Sequence, residues 1–244
     1  MKTILIIQAR MGSTRLPGKV LSRVLDIPLL QFQVERLRDI SGIDCIVIAT
    51  TTNPLDDPIV ALCDRLGYQV FRGSESDVLG RYYAAAKSFK ADCIVRINSD
   101  CPIIDPEVVS HVIGSFQSQV RRYDYTSNIL EKGYPIGFHT EIFSMDALTK
   151  AHFNSDDGDE REHVTPYIYR NPDIFKLASI VPETDMSHFR WTLDYPADLE
   201  VITRIIEGLY PQNPHFGLDD MISFANRNPD IGRLNAFITK EQTI

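Results

Sequence analysis

The feature that most constrains the fold is an apolar run at residues 3–9 (TILIIQA), matched in kind at 44–51 and 92–97. A strand with one wet face alternates polar and apolar residues. A continuous run marks a strand buried on both faces, the signature of a sheet covered by helices above and below. The intervening segments supply those helices. Residues 28–40 place Leu29, Leu30, Phe32, Val34, Leu37 and Ile40 at helical spacing, with Pro28 in the first turn. Residues 56–66 read as a helix closed by Gly67, 77–89 as another, and 105–116 as a fourth with Pro106 at its start. A short strand is expected at 68–72. Strands alternating with helices predict βαβ units, and hence a three-layer α/β/α fold with a mainly parallel mixed sheet. Beyond residue 120 the pattern loosens: strands are expected at 123–128, 136–144 and 175–181, and helices at 145–152, 159–169, 196–209 and 218–225. An acidic turn is expected at 154–160. No Ser/Gly-rich linker or repeat divides the chain, so 1–244 is read as a single domain.

Composition narrows the class of function. The net charge is −8, which argues against a nucleic-acid binder. Yet residues 1–40 carry seven Lys/Arg against three acids, a net of +4 that leaves −12 for the rest. A local basic site in an acidic protein suits a small anionic ligand. No apolar run approaches the ~20 residues of a membrane span. The run after Met1 lacks the cleavage pattern of a leader, so the expected location is cytoplasmic, with no membrane partner. Cys45, Cys63, Cys93 and Cys101 show no CxxC spacing and are expected to be buried free thiols.

In a parallel sheet, ligands bind beyond the carboxyl ends of the strands, where strand order reverses. The two most polar strand exits are 8–19 (QARMGSTRLPGK) and 98–105 (NSDCPIID), which share one crevice if their strands are neighbours. A triphosphate needs many donors on a backbone that approaches it closely. Gly12 and Gly18 allow the approach, Arg10, Arg15 and Lys19 bring three cations, and Ser13 and Thr14 add hydroxyls, with Gln8 and Ala9 at the exit. The GxxxxGK spacing of a Walker loop is met at 12–19, but Val20 replaces the magnesium-binding Ser/Thr, which argues against an ATPase. Asp100, in the second exit, is suited to holding Mg2+ against phosphate oxygens.

Residues 4–21 (ILIIQARMGSTRLPGKVL) resemble the N-terminal signature of the sugar-acid cytidylyltransferases, which include the CMP-KDO and CMP-sialic acid synthetases. The likeness is greatest to the spore-coat polysaccharide branch. Four further stretches resemble that family in order: 70–83, 96–106 (RINSDCPIIDP), 161–169 (REHVTPYIY) and 190–199 (RWTLDYPADL). The resemblance implies the nucleotide-diphospho-sugar transferase (Rossmann-like) type of fold. It makes 1–120 a nucleotide-binding half and 121–244 an acceptor-binding and dimerisation half, and it implies a homodimer. It implies CTP as nucleotide, Mg2+ held by Asp100 and Asp194, and base and ribose near Arg72, Gly73, Asp77 and Arg81. The family's second acidic position at the metal site is Thr192 here, and its aspartate on the acceptor side is His139. Glu141, Arg161 and His163, with His139, are the expected acceptor-side residues.

The expected reaction is attack by an acceptor hydroxyl or phosphate on the α-phosphorus, releasing pyrophosphate. The acceptor is a small acidic sugar, within surface-polysaccharide synthesis. Three alternatives stand. One is a nucleotidyltransferase for a sugar phosphate, alditol phosphate or phosphonate. Another is a glycosyltransferase, for which Asn98-Ser99-Asp100 offers only a broken D-x-D motif. The last is a non-catalytic nucleotide-sugar-binding protein.

Overall fold

The computed structural model describes residues 1–119 and 122–238; the boundary expected between 120 and 121 lies outside the described residues. In chain order the elements are β1 (Thr3–Gln8), β2 (Arg23–Val24), β3 (Ile27–Pro28), α1 (Leu29–Leu37), β4 (Cys45–Thr51), α2 (Asp57–Leu66), β5 (Gln69–Gly73), α3 (Val78–Ser88), β6 (Cys93–Asn98) and α4 (Pro106–Gln117). They continue with β7 (Tyr125–Ser127), β8 (Glu141–Ser144), α5 (Met145–Asn154), α6 (Gly158–His163), α7 (Pro166–Tyr169), β9 (Leu177–Ser179), α8 (Pro196–Leu209), α9 (Leu218–Arg227) and α10 (Pro229–Arg233). Short 3-10 turns occupy Lys19–Leu21 and Pro54–Asp56.

Seven strands form one sheet in the order β5-β4-β1-β6-β8-β7-β9. The strands β5, β4, β1 and β6 are parallel, β8 runs against both β6 and β7, and β9 lies parallel to β7. The chain starts mid-sheet, moves outward through β4 and β5, then returns to the other side of β1. Strand order therefore reverses between β1 and β6, and Gln8 stands opposite Asn98 there. That register meets the neighbour condition for a shared crevice.

The unbroken apolar runs are explained by what covers them. Leu5, Ile7, Ile46, Ile48, Val95 and Ile97 face one core with Leu30 and Val34 of α1, Ile59 of α2 and Val109 and Phe116 of α4. Their chain neighbours Ile4, Ile6, Val47, Ala49 and Ile94 face a second core with Leu79 and Tyr82 of α3 and Leu148 of α5. Successive residues thus bury on opposite faces. A third core packs α8 and α9 onto Phe32, Phe138 and Trp191. Cys63, Cys93 and Cys101 are buried and Cys45 is half-buried. Burial pushes the Cys63 thiol up to about 12 and that of Cys93 up to about 11.

The irregular half departs from expectation in two informative places. The helix expected at 159–169 is two helices, α6 and α7. Val164 adopts φ 74, a left-handed conformation, and Pro166 opens the next helix without an amide to continue the first. A left-handed β-branched residue costs on the order of 1–2 kcal/mol; Val164 is fully buried in the second core, which offsets it. The strand expected at 136–144 is paired in the sheet only from Glu141. Upstream, Gly137 has φ 108, and a Cβ there would lie 2.4 Å from the Trp191 carbonyl oxygen. Only glycine lets the segment 189–193 run this close, where Trp191 N–H donates to Ile136 O at 2.7 Å. The sheet partner is thereby exchanged for a chain that carries Asp194 to the crevice.

Candidate active site

A cleft of about 510 Å³ opens beyond the ends of β1 and β6. Of the residues expected at a site, Gln8, Ala9, Arg10, Ser13, Thr14, Arg15, Lys19, Arg81, Asp100, His139, His163 and Asp194 line it. Chain positions as distant as 8 and 194 are brought together by the strand reversal and by the 189–194 segment.

The loop after β1 is folded on itself. The Ser13 and Gly18 amides both donate to the Met11 carbonyl, at 2.9 and 3.0 Å. Gly18 sits at φ 71, where a side chain would be strained. Met11 N–H donates to the buried Asp56 carboxylate at 2.7 Å, which also accepts the Thr51 hydroxyl at 2.5 Å. Asp56 therefore fixes the loop to the end of β4. Sequence reasoning took Asp56 only as a helix start; its position just past a buried strand end was the available signal.

Lys19 reaches across the cleft. Its Nζ lies 2.8 Å from Asp194 Oδ1, donates to the Leu193 carbonyl at 2.6 Å, and is 4.0 Å from Asp100 Oδ2. Arg15 donates to the Tyr195 hydroxyl at 3.1 Å and lies 3.5 Å from Asp194 Oδ1. The Tyr195 hydrogen bond is the main reason the Arg15 guanidinium sits above its ordinary pKa, with Asp194 and Asp100 adding to it. Asp194 is not the cap of α8. Asp198 performs that work: its Oδ2 accepts the amides of Asp194 at 3.1 Å and Tyr195 at 3.0 Å. Asp105 does cap α4, accepting from Glu107 N at 2.6 Å and Val108 N at 3.1 Å. The Thr192 hydroxyl donates to the Asp100 carbonyl at 3.3 Å, on the chain beside the two acids.

Six expected residues do not line the cleft, each for a physical reason. Gly12 backs onto Glu75, whose Oε1 would be 3.5 Å from an added Cβ. Arg72 is spent on the Thr51 and Asn53 carbonyls, at 2.8 and 2.9 Å, and on Asp57 at 2.7 Å. Gly73 leaves room for the Arg81 stem, which an added Cβ would meet at 2.9 Å. Asp77 caps α3 through Gly80 N at 2.8 Å and takes both ends of the Arg161 guanidinium, at 3.0 and 2.5 Å. Arg161 also donates to the His152 carbonyl at 2.8 Å, so it ties α6 to α3 and α5. Glu141 lies beneath the cleft, ion-paired with Arg96. It also accepts the Tyr125 hydroxyl at 2.7 Å and the Thr165 hydroxyl at 2.5 Å.

The cleft retains unused polar capacity. Gln8 Oε1, Asn98 Oδ1, Arg81 Nε and Arg96 Nε are buried without a hydrogen-bond partner among the described residues, and all four residues line it. An unsatisfied buried group costs about 1–3 kcal/mol, so this wall is shaped for a polar ligand. Burial lowers the Arg81 pKa, and the neighbouring Arg10 cation lowers it further. In the same cleft, burial pushes the half-buried His139 imidazole below its ordinary value, against the pull of Asp100 and Glu141. His163 lies 3.5 Å from Asp159, which also pairs with Arg170 at 2.8 Å.

Among the described residues no group of three or more His, Cys, Asp or Glu side chains is placed to hold a metal. Asp100 and Asp194 offer two hard oxygen donors on one cleft, flanking the Lys19 ammonium. That set fits Mg2+, which is commonly held by one or two carboxylates together with water and substrate phosphates. No described helix is long and apolar enough to cross a membrane.

The family model described as Cytidylyltransferase matches residues 4–209. An uncharacterized protein of Methanocaldococcus jannaschii is 38% identical over 99% of this chain and 97% of its own length. The spore coat polysaccharide biosynthesis protein SpsF of Bacillus subtilis is 34% identical over 93% of this chain and 95% of its own. Among solved structures, a cytidylyltransferase from Leptospira borgpetersenii superposes with a TM-score of 0.91 at 35% identity, covering 95% of this chain and 96% of that one. A CMP-2-keto-3-deoxy-manno-octonic acid synthetase complexed with CTP shares the fold, with a TM-score of 0.65 at 18% identity over 85% of this chain and 99% of its own.

Proposed function

The chain belongs to the sugar-acid cytidylyltransferase family, and from that premise we propose that it transfers CMP from CTP to the hydroxyl of a small sugar acid of the ulosonic or nonulosonic type, releasing pyrophosphate. The observation that carries this reading is the meeting of Lys19 with Asp100 and Asp194 beside Arg15 in one cleft.

Arg10, Arg15 and Lys19 bind the triphosphate. Gln8, Asn98 and Arg81, each with a polar atom left over, hydrogen-bond the nucleotide. Asp100 and Asp194 would hold Mg2+, which would supply positive charge to neutralise the phosphates. The Lys19 ammonium, 2.8 Å from Asp194 Oδ1, donates to the phosphate oxygens. The acceptor lies against His139, His163 and Tyr169. Its hydroxyl oxygen attacks the α-phosphorus in line and loses its proton to solvent; the bond from the α-phosphorus to the α,β-bridging oxygen breaks, and pyrophosphate carries that electron pair away. Rate enhancement then comes from positioning and fixed positive charge.

The finer reading is a role in surface-polysaccharide synthesis, supported by the likeness to the SpsF protein, carried out by a cytoplasmic homodimer. A sugar-phosphate acceptor remains the second reading, because the Arg96 and Arg170 cations on the acceptor side suit a phosphate as well as a carboxylate. The test supplies each nucleoside triphosphate with Mg2+ and a panel of sugar acids and sugar phosphates, and measures pyrophosphate. Release with CTP and sugar acids is the expected result. Release only with sugar phosphates selects the second reading, and none with CTP and any acceptor overturns both.

A further inference from the structure

Residue 235 lies beyond the 4–209 segment matched by the family model, yet its side chain is buried and bonded into the support of Asp194. Asn235 Nδ2 donates to Asp198 Oδ1 at 2.9 Å and to the Arg190 carbonyl at 3.0 Å. Arg190 grips the same carboxylate from both sides, Nε to Oδ1 and a terminal nitrogen to Oδ2, each at 2.9 Å. The second oxygen of Asp198 receives the amides of Asp194 and Tyr195. Asp198 is fully buried, so its charge is tolerable only while these donors remain in place.

We propose that Asn235 is a positioning residue for Asp194, acting through Asp198 and Arg190. The inference rests on the reading of Asp194 as a cleft ligand. The physical logic is one of freedom removed. Arg190 holds both Asp198 oxygens, and its terminal nitrogen also lies 3.8 Å from Asp194 Oδ2, so the placing of Arg190 and Asp198 together decides where Asp194 sits. The Asn235 amide bonds both Asp198 and the backbone of Arg190, so it sets the angle at which Asp198 holds the 194–195 amides. That angle aims the Asp194 side chain at the cleft. The C-terminal segment after α10 thus completes a site whose other parts lie within residues 8–194.

The test compares wild type, Asn235→Ala and Asn235→Leu; the Leu variant keeps the number and branching of the side-chain heavy atoms and removes the amide. In the protein without nucleotide or metal, amide hydrogen exchange of peptides spanning 191–199 should quicken about five- to tenfold in both variants, the size of one lost buried hydrogen bond. Exchange in β1 and β4 should be unchanged. In turnover with CTP and 3-deoxy-manno-octulosonic acid, kcat should fall by a similar factor and half-saturating Mg2+ should rise, with KM for CTP at saturating Mg2+ within about twofold. Unchanged exchange at 191–199, or a uniform rise across all peptides, overturns the proposal, since the second marks a general structural role. Asp194→Asn, assayed alongside, separates the two failures. If it leaves turnover intact, the parent reading of Asp194 is wrong. If it cuts turnover while the Asn235 variants behave as wild type, only the present inference is wrong.

Discussion

On the wall made by residues 8–19, Arg10, Arg15 and Lys19 all line the cleft. On the wall made by α6 and α7, the arginine of the REHVTPYIY stretch is turned away and locked to Asp77. Both stretches resemble family motifs, and both carry cations in a polar context. What separates them is the state of the local carboxylates. Near the first loop, Asp100 and Asp194 are themselves cleft residues, so a cation that pairs with them stays in the site. Near α6, Asp77 is a helix cap at the start of α3, so Arg161 is drawn into a joint between three helices. The same kind of side chain lines the cleft in one wall and fastens helices together in the other.

The comparison is broken most directly by substitutions that treat the two cations alike. Lys19→Ala should lower turnover with CTP about 100- to 1,000-fold, the size of effect seen when a preorganised charge-stabilising donor is removed. Its melting temperature should stay close to wild type, because the Lys19 ammonium serves two acids already on the cleft. Retained turnover would remove the loop from the site. Arg161→Ala should do the reverse. It leaves kcat within about threefold and lowers unfolding free energy by about 1 kcal/mol, a value held down by the partial exposure of the pair. Chemical denaturation measures the second number. A loss of turnover comparable to that of Lys19→Ala would place Arg161 in the acceptor pocket after all.

That contrast also marks how far the sequence could be read. The central sheet and its helical layers were legible because period and burial agree: Ile4 to Ile7 are apolar without interruption because alternate residues meet different cores. The 8–19 loop was legible because its cations follow a buried strand at the point where strand order reverses. Arg161, Glu141 and Arg72 were misplaced because sequence specifies a donor or acceptor and not its direction. Each found a partner remote in sequence, Asp77, Arg96 and Asp57 respectively. Asp56 and Asp198 were passed over for the complementary reason. Buried acids at helix starts read as caps, and only the fold shows that the amides they receive are those of Met11 and Asp194. The break at Val164 was hidden too, since a left-handed valine is paid for by tertiary packing alone.

The smallest expected effect concerns the part of the cleft lined by His139. Burial favours its neutral form and is the largest influence. Asp100, Glu141 and Asp194 favour the charged form, and Arg96 opposes it. The folded-state value therefore lies below the ordinary one of about 6.5. As pH falls below that value, the unfolded chain binds a proton at His139 that the folded chain refuses. Stability is thus full above about 6.5, declines as pH drops toward the folded-state value, and levels off once both states are protonated. His139→Asn removes this contribution, so its melting temperature should change less across that window than the wild type's. The wild-type decline should also shrink when CTP is bound, because triphosphate charge near Asp100 favours the imidazolium. Parallel melting curves for variant and wild type, with and without CTP, would mean that His139 keeps its proton equilibrium on folding. The pH response of the cleft would then owe nothing to His139.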